Sequence, residues 1–310
     1  MVFYENGELS VYKSAIDWLE KNQIKTGDSL KSKIADLFTG ISNCLPKDSF
    51  NLRSFVEDKT IRNPFLHIKK NNLDDDPETE VVLILGDRTI SQLLFLILDF
   101  NQNVYKVRFR KEVYCRYEPP EVKFLDIRFG NDLAEIIEKG GGSGISDTYH
   151  SYYRFISNKV LEVLKLKASI NVNGTLKMRN ILEAVSIDTV GGIKADYKCQ
   201  YWLCTQFDEK IVPSDKLGEW ESAKNNCEFK DGLILLNDTY PMYFTWNKNA
   251  SVFEPDYSKS KLTPDKWNLI NNFSAEEAYA KEFFTIYKNE IKIDKKNPTI
   301  NWIYKRFHLN

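Results

Sequence analysis

The sequence predicts an α+β fold in which helices alternate with blocks of mainly antiparallel strands, arranged in two lobes. Apolar residues recur at helical spacing in some segments and in short strand-like runs in others. A glycine-rich run near the middle of the chain separates two such sets. A doubly wound sheet is not expected, because its parallel crossovers require a helix after nearly every strand.

Two amphipathic helices open the chain, since apolar residues fall on one helical face over 11–19 and again over 30–41. A block of strands is predicted behind them, with Asn101 to Asn103 as a hairpin turn. Asp74 to Asp76 are interpreted as a solvated loop rather than a metal site, because Pro77 follows and no further ligand is in register. The strand runs are 81–85, 93–99, 104–110 and 122–129.

The run Gly140 to Gly144 contains four of the 14 glycines. It is typical of a flexible connector, native or engineered, because the residues of a phosphate-binding loop are missing. We therefore divide the chain into lobes at 1–139 and 146–310, with a linker at 140–145. Helices are predicted at 133–137, at 147–164, at 176–185, from Thr263-Pro264 onward and at 274–290, and strands at 193–207, 233–236 and 242–246.

Composition excludes several classes of function. With 43 Lys+Arg against 44 Asp+Glu, the net charge is −1, so any contact with nucleic acid must use a local basic patch. Five cysteines without a paired spacing favour a reducing compartment and argue against zinc. Acidic residues near the N-terminus and the lack of a run of about 20 apolar residues predict a cytoplasmic protein without a membrane segment.

Carboxylates followed by a lysine suggest metal-dependent nuclease chemistry in the second half. Nucleases of the PD-(D/E)xK type hold Mg²⁺ with two carboxylates and activate a water molecule beside a lysine. Asp196, followed by Asp208, Glu209 and Lys210, resembles that pattern. This alternative makes Asp196 and Asp208 metal ligands, Lys210 a catalytic residue, and Mg²⁺ the only expected cofactor. The competing interpretation is a polar turn, since the segment 197–207 lacks turn residues that would form a hairpin.

Three segments resemble, in order, parts of ribosome-inactivating N-glycosidases, which remove an adenine from ribosomal RNA. VFYENGELSVYKSAIDWL is similar to their strand-then-helix start, NVYKVRFR to the strand with the first adenine-stacking tyrosine, and ASINVNGTL to the segment after the second. The resemblance implies Tyr105 and Tyr153 as the stacking pair. The Glu-Ala-Ala-Arg helix of that family has no counterpart, because Glu209 is followed three residues later by Val212 rather than arginine.

A basic and aromatic strand pair is the third candidate. In a strand through 105–110, the cations would occupy one face and the apolar side chains the other. That face could contact phosphates or an acidic partner, and the competing interpretation is a solvated face of a sheet. Because no catalytic signature is complete, the sequence favours a binding or effector protein that contacts a protein or a nucleic acid here. The predicted contact residues are Lys106, Arg108, Arg110, Lys111 and Arg116.

Overall fold

The structure is a computed structural model that describes residues 2–5, 8–23, 28–43, 63–74, 76–88, 92–114, 120–126, 132–142, 145–173, 176–188, 191–203, 228–272, 276–291 and 297–309. This part of the chain is mostly β, with two antiparallel sheets and five α-helices. None of the helices described is long and apolar enough to cross a membrane.

The first sheet has six strands in the order β1-β2-β6-β5-β4-β3. Strand β2 runs directly into α1 (Lys13–Asn22), and α2 (Asp28–Asn43) follows. The strands are β1 (Val2–Glu5), β2 (Glu8–Tyr12), β3 (Pro64–Asn71), β4 (Glu80–Asp87), β5 (Gln92–Asn101) and β6 (Val104–Tyr114).

The second sheet has eight strands in the order β14-β13-β12-β11-β10-β9-β8-β7. They are β7 (Glu121–Leu125), β8 (Leu133–Gly142), β9 (Ile145–Ile156), β10 (Lys159–Asn173), β11 (Leu176–Ile187), β12 (Ile193–Leu203), β13 (Leu233–Asn247) and β14 (Val252–Pro255). A 3₁₀ turn at Phe229–Asp231 precedes β13, and the chain continues with α3 (Pro264–Asn271), α4 (Glu276–Ile286) and α5 (Pro298–Phe307).

The chain divides into two compact units. Unit 1 contains residues 1–140 and 149–165, and unit 2 contains 141–148 and 166–310. Gly140 to Gly142 end strand β8, while Ser143 and Gly144 lie outside the described residues. The predicted division into lobes at the glycine run stays a prediction.

Unit 1 buries both faces of β4 and β5. Leu94, Leu96 and Leu98 pack with α1 and α2 in a cluster that we call the helix core. The intervening residues Phe95 and Ile97 face the opposite side and pack with β8 and β9 in a second cluster, the strand core. Central strands that are covered on both faces consist of continuous apolar runs. This pattern explains why the sequence predicted β4 and β5 at the right positions.

Unit 2 is covered by helices on one face of its strands. Along β12, alternate residues from Ile193 to Tyr201 are fully buried and those between them are half-buried. Tyr201 stacks on Phe283 of α4 at 4.2 Å between ring centroids, and Tyr197 meets Trp267 of α3 edge-on at 5.4 Å. The opposite face of β12 is therefore the polar one.

The predicted alternation of helices with strand blocks is wrong, because the segments predicted as helices at 133–137, 147–164 and 176–185 are strands. In the second of these, Ser157 and Asn158 have φ of 50° and 62° and form the two-residue turn between β9 and β10. Positive φ at both central positions is the signature of a tight β-hairpin. The apolar residues that suggested helical spacing are divided between two paired strands.

Other predicted elements are confirmed. Both N-terminal helices are present as α1 and α2. The turn after β5 has positive φ at Gln102 (47°) and Asn103 (69°), as a two-residue hairpin requires. Helix α3 begins at Pro264, and the Thr263 hydroxyl accepts a hydrogen bond from the Lys266 backbone N–H. Ser274, the first residue of the next predicted helix, lies outside the described residues.

Candidate functional site

The nuclease residues are only partly described. Asp196 lies half-buried on the polar face of β12, where its Oδ2 is 2.7 Å from Nζ of Lys194. Asp208 and Lys210 lie outside the described residues. The predicted Mg²⁺ site at Asp196 and Asp208 therefore stays a prediction, and what the structure adds is that the Asp196 carboxylate already has a cationic partner.

The structure does not bring Tyr105 and Tyr153 together. Tyr105 is 3% exposed and belongs to the helix core. Tyr153 is 1% exposed, belongs to the strand core on the opposite face of the first sheet, and donates a hydrogen bond to Glu162 at 2.8 Å. Its pKa is raised by burial. Two tyrosines on opposite faces cannot enclose one adenine, so the arrangement implied by the glycosidase resemblance is not formed at these positions.

A β-bulge changes the predicted basic face. In the pairing of β5 with β6, Leu98 is opposite Val107 and Ile97 is opposite Phe109, so Arg108 is the extra residue. Side chains beyond the bulge switch faces relative to those before it. Lys106 and Arg110 therefore project from opposite faces of the sheet, and the prediction that the three cations share one face is wrong.

Three of these cations are paired with carboxylates of unit 1. Nζ of Lys106 lies 2.8 Å from Glu8, and Arg108 lies 2.8 Å from both Glu8 and Asp99. Hydrogen bonds and the charges of Lys106 and Arg108 hold the pKa of Glu8 below its ordinary value. Lys111 pairs with Glu138 at 2.8 Å, burial lowers the pKa of the half-buried Arg110, and Arg116 lies outside the described residues.

Three carboxylates converge at one end of β4 and β5. One oxygen from each of Asp74, Glu80 and Asp99 lies within 4.8 Å of the others. The strand register explains two of them: Val81 is opposite Leu98, so the next position places Glu80 across from Asp99. Asp74 reaches them from the segment between β3 and β4. We call this group the acidic cluster, and it is the only set of three or more potential metal ligands within the described ranges.

The interpretation of Asp74 to Asp76 as a solvated loop holds for Asp76, which is exposed. Asp75 lies outside the described residues, and Asp74 is half-buried beside the two strand carboxylates. The sequence missed this group because its other members are 6 and 25 positions further along and meet Asp74 only through strand pairing. The available signal was the position of Glu80 and Asp99 at the ends of apolar strands. Charged residues are seldom buried, so a charged residue in such a strand suggests a special role.

A histidine and a carboxylate form a second polar group in unit 1. Nδ1 of His150 on β9 and the hydroxyl of Tyr152 each lie 2.7 Å from Oε1 of Glu135 on β8. Burial acts to raise the pKa of Glu135, but the hydrogen bonds from His150 and Tyr152 outweigh it, so the pKa is lowered. Because an ionised carboxylate only accepts, Nδ1 of His150 carries a proton. The group thereby fixes the orientation of the imidazole.

We expect Glu135→Gln to destabilise the fold by about 1–3 kcal/mol at pH 7, because a buried acceptor of two hydrogen bonds loses its charge. The lowered pKa stabilises the folded state above the ordinary value of 4.5, and this contribution is lost as the pH falls through the folded-state pKa. The deficit of the variant should therefore shrink at pH 3.5 in urea denaturation. Glu121→Gln, at an exposed position on β7, should show no such change.

An open cleft of about 320 Å³ lies along α1. Tyr12, at the start of α1, is 49% exposed, and its ring centroid is 4.9 Å from that of Phe3. Trp18 and Lys33 are half-buried. The lining residues are Tyr12, Ser14, Ala15, Trp18, Leu19 and Lys33, and we call this feature the α1 cleft. The sequence predicts both helices that form it, but no motif marks these side chains as a site.

Comparisons with protein-family models, with curated proteins and with solved structures find no significant match to this chain.

Proposed function

We propose that this chain is a protein-binding module that acts through the α1 cleft. The observation that carries the proposal is the composition of the cleft. It is lined by the aromatic residues Tyr12 and Trp18, the apolar residues Ala15 and Leu19, and the cation Lys33. Tyrosine and tryptophan supply much of the binding energy at protein interfaces because they bury large, rigid surfaces.

The charges favour a protein partner over nucleic acid. Nucleic-acid binding requires several cations that neutralise phosphates, yet Lys106, Arg108 and Lys111 already pair with carboxylates of unit 1. The α1 cleft itself contains one lysine, Lys33. A single ammonium beside aromatic rings suits a protein segment that presents one carboxylate next to an apolar side chain.

The surroundings of the cleft favour a partner that contacts more surface than the cleft itself. Tyr12 is 49% exposed, and its ring contacts Phe3 of the neighbouring strand β1. Strand β1 is the outermost strand of the first sheet. Exposed aromatic side chains at the edge of a sheet are typical of interaction surfaces, and an edge strand can also receive an extended segment of a partner.

Phage display of random peptides on the immobilised full-length chain tests the proposal. We expect enrichment of peptides with an aromatic or aliphatic residue beside Asp or Glu. Tyr12→Ala and Lys33→Glu should each weaken binding of a synthetic enriched peptide at least about tenfold, equivalent to roughly 1.4 kcal/mol. Tyr12 makes no side-chain cap to α1, so its truncation should leave the helix intact.

Lys21→Glu is the matched control, because Lys21 is an exposed lysine of α1 that does not line the cleft. It makes the same charge change and should bind the peptide as the wild-type chain does. Equal binding by wild type, Tyr12→Ala and Lys33→Glu would contradict the proposal. So would tighter binding of a fluorescent single-stranded RNA than of any enriched peptide. Thermal unfolding of each variant verifies that it is folded.

A further inference from the structure

Glu80, the central member of the acidic cluster, is buried with incomplete hydrogen bonding. Its side chain is 0% exposed. One carboxylate oxygen accepts a hydrogen bond from the Leu73 backbone N–H, and the other, Oε1, is shielded from solvent and has no hydrogen-bond partner. A buried carboxylate oxygen without a donor or a cation is costly. Such an atom, within a group of three carboxylates, indicates a missing positive ligand.

The neighbouring cations do not supply this ligand. Arg108 contacts both Asp99 and Glu8 at 2.8 Å, and Lys106 contacts Glu8 at the same distance. These ion pairs go to Asp99 and Glu8, whereas Oε1 of Glu80 has no partner. A cation bound at the acidic cluster would provide one.

The donor atoms and their spacing select the kind of ion. Carboxylate oxygens are ligands for the hard cations Ca²⁺ and Mg²⁺. Two oxygens bound to one ion lie at most twice the metal–oxygen distance apart, which is about 4.2 Å for Mg²⁺ and about 5 Å for Ca²⁺. The oxygens of the acidic cluster lie within 4.8 Å of one another. This limit is compatible with Ca²⁺, which also tolerates more flexible coordination than Mg²⁺ does.

We propose that Asp74, Glu80 and Asp99 form a calcium-binding site in unit 1. Two ligands come from the paired strands β4 and β5 and are positioned by the register of the sheet. The third comes from the segment between β3 and β4, so the ion fastens this segment to the end of the sheet. The site does not involve the α1 cleft, and it stands independently of the proposed function.

Calorimetric titration of the full-length chain, stripped with EDTA, tests this proposal. CaCl₂ should bind with one-to-one stoichiometry and raise the thermal midpoint by about 5 °C at saturation. MgCl₂ should give a smaller shift, and KCl at matched ionic strength should give none. Glu80→Gln should lower the affinity for Ca²⁺ at least about tenfold. Asp74→Asn, at a half-buried position on the connecting segment, should have the same effect with less risk to folding.

Glu78→Gln is the control, since Glu78 is an exposed carboxylate two positions from Glu80 that is not part of the acidic cluster. It removes the same charge and should retain the response to Ca²⁺. The proposal is overturned if wild type shows neither heat of binding nor a thermal shift with CaCl₂. It is also overturned if Glu80→Gln and Asp74→Asn respond as wild type does. A larger response to Mg²⁺ than to Ca²⁺ would contradict the assignment of calcium.

Discussion

Arg108→Met should destabilise unit 1 by about 3–5 kcal/mol, because it removes one member of a largely buried ion pair and leaves the other charged. The side chains of Arg108 and Asp99 are only 16% and 11% exposed, and they are 2.8 Å apart. Without the guanidinium, Asp99 would face Glu80 and Asp74 with no compensating charge. Urea denaturation in the presence of EDTA measures the loss without interference from bound cations.

Two further variants separate this explanation from a general effect of removing a cation. Lys123→Met breaks an exposed pair at 3.7 Å, in which both side chains are more than half exposed, and should cost less than about 1 kcal/mol. The double variant Arg108→Met with Asp99→Asn should recover much of the loss, since it removes the uncompensated charge as well. If Arg108→Met is as stable as wild type, Arg108 is a surface cation after all and remains available to a partner.

Arg108 was predicted as a surface contact residue and is instead a largely buried member of an ion pair. This difference shows how much the sequence could predict. Alternation along 105–110 predicted a strand, and the strand is present as β6. The predicted common face of Lys106, Arg108 and Arg110 depended on uninterrupted alternation, which the bulge at Arg108 breaks. A bulge without glycine has no clear signal in one sequence, because it is specified by the pairing with β5.

The acidic cluster was hidden for a related reason. Asp74 was visible within an acidic segment, but its neighbours Glu80 and Asp99 meet it only through the β4–β5 register. Residue spacing predicts contacts within one helix or one strand. Contacts between strands require the order and register of the sheet, which a single sequence does not supply.

The helices show the limit of periodicity itself. Helices α1 and α2 were predicted correctly because each presents one apolar stripe to the helix core. The segment 147–164 produced a similar spacing from two strands, since residues of β9 and β10 are buried at irregular intervals on both sides of the turn at 157–158. Ser157-Asn158 was the available signal, because asparagine readily adopts positive φ in tight turns.

Phe283→Ala should destabilise unit 2 by about 3–5 kcal/mol, because it removes a fully buried ring and leaves a cavity. Phe283 is 0% exposed, and its ring stacks on Tyr201 at 4.2 Å and contacts Tyr287 at 5.2 Å. The loss should appear in the free energy of unfolding from urea titration. Tyr257→Ala, at a side chain that is 38% exposed, should change stability by no more than about 0.5 kcal/mol.

Tyr201→Phe then distinguishes ring packing from hydrogen bonding at the same contact. The Tyr201 hydroxyl accepts from the Asn180 side-chain amide at 3.0 Å and lies 3.1 Å from the Tyr279 hydroxyl. Its removal takes this acceptor from the buried Asn180 amide and should cost about 1–3 kcal/mol, while the stacked ring remains. If packing of α4 on the sheet dominates the stability of unit 2, Phe283→Ala must be the more destabilising of the two. A larger effect of Tyr201→Phe would instead make the buried hydroxyl network the main contribution.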